Sequence, residues 1–315
     1  MAERALVTGV LGCLGAWTAR ALLDDGVEVV GFDLGDAYHR LELVLGVDAA
    51  RVTVVQGDIT DRAALDRVLD EHAITRVIHL AALQVPFCRE DPVLGAWVNV
   101  VGTMNVLEAV RARLDRIPGV AFASSAAVYG PSDPSPAPES GGLAPSTHYG
   151  VFKLANEGNA RIAWAEAGVP SIAIRPYVVY GPGRDQGITS GPTLAMAAAA
   201  RDEAYTIGYG GVVQYDYARD VGYAFARASA VVHEGAIVAN FPGGTATMAQ
   251  VVEAIEAAAP SARGRIGWDE VTLPFPAELE ATALEATLGP LPKASLADGV
   301  AATIARFRLL ELESE

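Results

Sequence analysis

The chain has 315 residues, 51% of them hydrophobic, enough to bury the core of one large domain or two fused ones. With 23 Lys and Arg against 38 Asp and Glu, its formal charge of −15 repels phosphate backbones and anionic membrane surfaces, so neither nucleic acid nor membrane is an expected partner. The opening MAERALVTGV has no basic segment ahead of a long apolar run, and no run reaches the roughly 20 residues of a membrane span, so a cytoplasmic location is expected.

In chain order, RALVTG (4–9) reads as a first strand, followed by a helix at about 13–25 and the strand VEVVGFD (27–33). RVTVVQGD (51–58), a helix at 61–72, RVIHLAA (76–82), a helix at 91–115, VAFASS (120–125), a helix at 146–168 and PSIAIRP (170–176) continue the alternation. The strands are continuous enough in apolar content to be buried on both faces, which predicts an α/β fold with a doubly wound parallel sheet. PSDPSPAPESGG (131–142) is rich in Pro, Ser and Gly and reads as a loop or lid, placed where a lid would cover a site. Beyond residue 176 the alternation loosens, leaving an Ala-rich helix near 192–202 and a terminal helix near 295–312. The expected division is a cofactor domain of 1–176 plus 213–245 and a smaller C-terminal substrate-binding lobe of 177–212 plus 246–315.

VTGVLGCLG places Gly9, Gly12 and Gly15 directly after the first strand and at the mouth of the first helix. A tight turn, close backbone approach and free helix N-terminal N–H groups suit a pyrophosphate, and Cys13 and Leu14 lie within this cradle. Asp33 ends the second strand 18 residues after Gly15, placed to accept ribose hydroxyls and to repel a 2′-phosphate. NAD is therefore favoured, with His39 and Arg40 keeping NADP open. Tyr149 and Lys153 stand one helical turn apart: by themselves they are either a solvated face, with the lysine stem across the ring, or a proton-transfer pair. Only Cys13 and Cys88 are present, read as small, reduced, buried side chains, with Cys88 free to face a pocket. Five scattered His without ligand spacing give no metal site.

The ordered set TGVLGCLG (8–15), GDI (57–59), HLAA (79–82), NVVGTMNVLEA (99–109), SSAAVYG (124–130), YGVFK (149–153) and RPYVVYGPG (175–183) covers nearly the whole chain. It resembles the extended short-chain dehydrogenase/reductase family, the NAD-dependent epimerase/dehydratase group. The resemblance implies a Rossmann-type sheet, Asp58 and Ile59 flanking the adenine, and Leu80, Ala81 and Ala82 lining the path to the nicotinamide. Asn99 supports the site by hydrogen bonding, and Tyr177 joins the cofactor contacts. The family's catalytic hydroxyl stands four residues before the Tyr of VYG, which selects Ser125 over Ser124. Ser125, Tyr149 and Lys153 then form the catalytic set, with Lys153 lowering the Tyr149 phenol from its ordinary value near 10 and holding the nicotinamide ribose. A homodimer through the helices at 91–115 and 146–168 is expected on the same ground.

Departures from the family pattern narrow the chemistry. Family dehydratases carry an Asp–Glu pair where this chain has Ala126 and Ala127, so water elimination is not expected. Nucleotide-sugar members carry Asn at the position of Val178 and Arg at that of Val213, with Arg219 or Arg201 as candidates to compensate. Losing both contacts removes charge-assisted partners of a diphosphate. The expectation is an NAD-dependent oxidoreductase acting on a secondary alcohol of a sugar, sugar acid or polyol. Gln84, Ser125, Ala126, Arg184 and Thr189 are its candidate substrate contacts. The alternatives are an NAD-retaining sugar epimerase and a non-enzymatic NAD-binding scaffold.

Overall fold

Apolar alternation resolves into twelve strands in the computed structural model, which describes residues 3–314. Met1, Ala2 and Glu315, the outermost positions of the two expected lobes, lie outside those residues. The strands are β1 (Arg4–Thr8), β2 (Glu28–Asp33), β3 (Thr53–Gln56), β4 (Arg76–His79), β5 (Val120–Ala123), β6 (Ser171–Arg175), β7 (Val178–Tyr180), β8 (Tyr205–Ile207), β9 (Val212–Tyr217), β10 (Ala236–Asn240), β11 (Gly244–Thr247) and β12 (Ile266–Trp268).

Seven of them form one parallel sheet in the order β10-β6-β5-β4-β1-β2-β3. Side chains alternate between its faces, as the two-residue strand period requires. Ala5, Val7, Ile78 and Ala121 enter one core with α1 (Cys13–Asp24), α2 (His39–Leu45), α9 (Ala218–Ala228) and α11 (Ala283–Leu288). Leu6, Val77 and Phe122 enter the other with α3 (Arg62–Glu71), α6 (Gly102–Arg111) and α7 (His148–Ala167). Leu6, Phe32 and Phe122 are essentially inaccessible, each worth roughly 1.5–3 kcal/mol of apolar transfer. This is the Rossmann-type doubly wound sheet, and the six strands read from the first 176 residues all lie in it.

A third core gathers around α8 (Gly191–Ala200), α10 (Met248–Ala258) and α12 (Leu296–Ser314). The strand β9, expected in the large sheet, belongs here instead: it runs antiparallel to β11 and parallel to β7. Val213, Tyr215 and Tyr217 point into this third core, which is what draws the strand away. Of residues 213–245, α9 and β10 return to the large sheet, and α11, expected in the smaller lobe, packs there as well.

The helix expected at 91–115 runs from Pro92 to Arg111 as α5 (Pro92–Ala96), a π-type turn at Trp97–Val101, and α6. By length and composition it is apolar enough to cross a membrane, a run the sequence reading did not find. Nearly half of that stretch is buried inside the fold, as in a core-covering helix. A short helix, α4 (Val85–Glu90), precedes it.

Candidate active site

Strand order reverses between β1 and β4, and a cleft opens at their carboxyl ends, where parallel sheets hold ligands. Gly9 turns there at φ +72, and a Cβ on it would lie 2.7 Å from the Ala81 nitrogen; one on Gly15 would overlap the Gly9 carbonyl. Gly12 caps α1 without a side chain, so the N–H groups of Cys13 and Leu14 precede the first helical bond, Ala16 N to Gly12 O at 2.9 Å. These N–H groups are what an anion requires. Asp33 Oδ2 accepts from Leu11 N at 2.9 Å and Oδ1 from Gly35 N at 3.2 Å, which holds the carboxylate at the rim. The resulting cavity, about 520 Å³, is lined by Gly9, Gly12, Cys13, Leu14, Gly15, Asp33, Asp58, Ile59, Leu80, Ala81, Ala82 and Tyr177. Asp58 is steadied by its own turn, accepting from Thr60 N at 2.8 Å. A dinucleotide fits this cradle of glycines, free N–H groups and rim carboxylate. Arg40 also lines it, but spends its guanidinium on Asp185 at 2.8 Å, leaving no free cation beside Asp33 among the described residues for a 2′-phosphate.

Cys13 is only partly buried and lines the cavity, whereas Cys88 is buried and faces Asn99 and the Leu83 carbonyl rather than the cleft. Desolvation by the cavity wall pushes the Cys13 thiol up to about 12, which disfavours the thiolate.

Ser125, Tyr149 and Lys153 meet at the far end of the same cavity. Thr147 caps α7 by accepting from Gly150 N at 3.0 Å. Gly150 itself is required, since a Cβ there would overlap the Ala127 carbonyl; its absence lets the first turn of α7 close on the segment that Ser125 begins. The Ser125 hydroxyl hydrogen-bonds Tyr149 and also accepts from Ala127 N at 3.1 Å. Lys153 is buried, its Nζ 2.7 Å from the Ala123 carbonyl and 5.5 Å from the centre of the Tyr149 ring. Burial brings the ammonium down to about 8. The phenol differs from expectation: burial raises Tyr149, opposed by its Ser125 hydrogen bond and by the charge of Arg184, not by Lys153.

Behind this wall lies a buried polar layer. Thr8 Oγ1 accepts from Leu80 N and Ala81 N, each at 3.2 Å, so it donates to His79 Nδ1 at 2.7 Å. His79 is then neutral and donates through Nε2 to Thr103 at 3.0 Å; burial first, and Lys153 second, hold its ring at about 3. Asn99, expected among the cofactor contacts, does not line the cavity: it brackets Leu83 through bonds of 2.8 and 2.9 Å. Arg175 and Glu157 pair bidentately at 2.8 and 2.7 Å, with Ser124 on the same carboxylate at 2.5 Å. Ser124 thus serves the frame, although its position also borders the cavity.

The segment 131–142 does not cover the main cavity; only Pro131 reaches a small recess beside Phe275. Arg175 and Tyr129 hold its Glu139 and Pro138 carbonyls at 3.0 and 2.9 Å, and Ala137 exchanges backbone bonds with Glu278 and Glu280. Turn composition marks a loop without saying which way it folds. The cleft is flanked instead by 181–190, where Trp17 Nε1 donates to the Pro182 carbonyl at 2.9 Å and Asp185 takes Arg40.

Gln84, Ala126, Arg184 and Thr189 all line the cavity, with Ala126 and Ala127 offering no proton-transfer group. Val178 and Val213 are buried in the third core, Arg201 turns to Glu203 and Arg219 to Asp220, so neither arginine compensates. Phe275, Ile188 and Phe87 also line the cleft; nothing local in the sequence marks them, since each arrives through tertiary packing.

A family model described as the NAD dependent epimerase/dehydratase family matches residues 5–239. The chain belongs to this family. A UDP-glucose 4-epimerase of Mycolicibacterium smegmatis is 31% identical over 97% of this chain and 98% of its own length. The chain spans about half the length of other curated relatives it matches, 49% and 51% for two of them. Among solved structures, a UDP-glucose 4-epimerase from Brucella ovis in complex with NAD superposes with a TM-score of 0.80 at 25% identity, covering 98% of this chain and 99% of that one. A partial-consensus L-threonine 3-dehydrogenase shares the fold, with a TM-score of 0.85 at 24% identity over 98% of this chain and 100% of that one. As a member of the NAD-dependent epimerase/dehydratase family, the protein has NAD as its cofactor.

Proposed function

We propose that the protein is an NAD-dependent dehydrogenase that oxidises a secondary alcohol on a small sugar, sugar acid or polyol. The observation that carries this reading is the uncharged recess at the edge of the cleft. This recess, at Phe275 and about 360 Å³, is walled by residues such as Gly210, Val212, Thr272 and Leu273, with no charged side chain. A nucleotide diphosphate laid there would lose its charge-assisted hydrogen bonds, some of the strongest available to a ligand. The larger sheet is the cofactor half and the third core the substrate half of this assignment.

NAD, when bound, supplies the hydride acceptor. As the carbinol C–H electron pair departs and the C=O forms, the hydroxyl proton passes to Tyr149 acting as base. Ser125 directs the reacting oxygen and, with the charge of Arg184, favours the phenolate, while Lys153 holds the ribose. Ala126 and Ala127 leave water elimination without an acid or base. A second copy of the chain is the partner in this reading, seated on the exposed Leu94, Trp97, Val151 and Ile162 of α5, the π-type turn and α7.

The likeness to the Mycolicibacterium smegmatis epimerase along the whole chain favours one competing reading, an NAD-retaining sugar epimerase. Incubating the protein with NAD and free sugars, sugar acids, polyols and, separately, UDP-glucose separates them. Net NADH fluorescence is expected; UDP-glucose isomerised without net NADH would overturn the dehydrogenase reading. Bound NAD with no conversion of any compound would favour a scaffold.

A further inference from the structure

Three cations line the cavity: Arg40, Lys153 and Arg184. Arg40 is neutralised by Asp185, and Lys153 donates to the Ala123 carbonyl. Arg184 stands apart. Its Nη1 donates to Gln84 Oε1 at 3.2 Å and its Nη2 to Thr189 Oγ1 at 3.1 Å, both neutral acceptors. Its Nε is buried without a partner, and among the described residues no carboxylate lies within ion-pairing distance. A desolvated guanidinium edge with an unused N–H is costly unless a ligand supplies the missing anion.

The cluster is also built to stay in place. Gly187, at φ +97, lies so close that a Cβ would overlap Gln84 Oε1 and come within 3.0 Å of Arg184 Nη2. Ser190 ties the loop back through bonds to the Gly187 carbonyl, at 2.9 Å from its hydroxyl. Thr189 is buried, and the positive charge of Arg184 bears on the Tyr149 phenol, so guanidinium and base share one chamber. The dinucleotide's phosphates already have the backbone cradle at Gly9–Gly15; the charge of Arg184 reaches Cys13 there, but its hydrogen bonds go to Gln84 and Thr189.

Resting on the dehydrogenase reading, we propose that the substrate is a small hydroxy acid whose carboxylate is bound by the free edge of Arg184, with Gln84 and Thr189 fixing the guanidinium. The carboxylate then sits a few bonds from the carbinol delivered to Tyr149 and Ser125. Neutral polyols and sugars lack the group that completes the site, and a planar carboxylate matches a guanidinium edge with two parallel hydrogen bonds.

The test has two arms, both on the full-length protein. In the first, malonate is titrated at constant ionic strength into protein saturated with NADH, followed by thermal shift. Wild type should be stabilised, Arg184→Met should not, and Arg184→Lys should recover part of the effect, while NADH affinity changes by less than about twofold in either variant. In the second, NADH formation is compared for glycerate, 3-hydroxybutyrate and gluconate against glycerol, 3-hydroxybutyramide and glucitol. The acids should be preferred, and Arg184→Met should raise KM for them by roughly ten- to a hundredfold, the loss of a charged hydrogen-bonded contact. Equal malonate stabilisation of wild type and Arg184→Met, or neutral alcohols turned over as well as the acids, would overturn the proposal. Loss of NADH affinity in Arg184→Met would also overturn it, by assigning the guanidinium to the cofactor's pyrophosphate. Failure of the dehydrogenase reading looks different: no compound yields NADH, yet malonate still binds through Arg184.

Discussion

Lys153 Nζ is tied to the Ala123 carbonyl at 2.7 Å, beside the Tyr149 ring rather than on its hydroxyl. The phenol is raised by burial and the ammonium lowered to about 8, so the reactive combination of phenolate and ammonium forms by reverse protonation. Log kcat/KM for alcohol oxidation should therefore climb by one per pH unit below about 8 and level off above it. Tyr149→Phe should abolish turnover while leaving NADH binding in place. A flat profile in wild type, or an active Tyr149→Phe, contradicts the assignment.

Neighbouring serines should fail differently. Ser125→Ala removes a hydroxyl aimed at the reacting oxygen, so kcat should fall by roughly 10²-fold, with only a small drop in melting temperature from the lost Ala127 contact. Ser124→Ala removes a partner of the buried Glu157 and should instead lower stability with a smaller effect on kcat. Paired kinetics and thermal melts distinguish the two; the opposite pattern would exchange their roles.

Cofactor choice should follow the rim charges. Asp33→Ser removes the carboxylate that opposes a 2′-phosphate, and Asp185→Asn frees Arg40 from its ion pair. The double substitution should shift the NAD-to-NADP ratio of kcat/KM toward NADP by at least about tenfold, more than either change alone. Steady-state kinetics with both cofactors measures it, and an unchanged ratio removes Asp33 from the ribose site.

The Arg175–Glu157 pair is almost wholly inaccessible, with side chains 2% and 6% exposed. Glu157→Ala leaves the guanidinium buried and unpaired, at a cost of about 3–5 kcal/mol. Urea titration should show that loss, together with loosening of the 131–142 segment that Arg175 holds; a loss below about 1 kcal/mol would mean that solvent reaches the pair.

Acid and base limits of stability should trace to two buried groups. His79 is held at about 3, below its ordinary 6.5, so its contribution is complete above 6.5 and disappears as pH falls toward 3. Asp216 is raised from 3.8 to about 7 by burial, so its contribution is complete below 3.8 and is lost as pH rises through about 7. Urea midpoints across this range should fall at both ends. His79→Leu should flatten the acid side and Asp216→Asn the neutral side; slopes that neither variant changes would assign the dependence elsewhere.

The six strands of the large sheet were legible because each carries its own apolar run, and the cradle because glycine spacing and the strand-to-helix junction are local. The placement of Val212–Tyr217 was not, since its partners Val178–Tyr180 and Gly244–Thr247 lie far away in sequence and only pairing decides between two sheets. The direction of the 131–142 loop depended on distant Glu278 and Glu280 in the same way. The coming together of Ser125, Tyr149 and Lys153 followed from motif spacing, but the Tyr149 phenol responds more to desolvation than to the nearby ammonium, and desolvation cannot be read from a four-residue interval. Arg184 was visible as a polar residue in a loop; its want of an acidic partner emerged only from the folded arrangement.

The π-type turn at Trp97–Val101 accommodates one residue more than a regular coil would, and Asn99 sits in its middle. The wider turn takes up that residue locally, so α5 and α6 continue as one helix from Pro92 to Arg111. The widening falls on the very residue whose amide grips both backbone groups of Leu83.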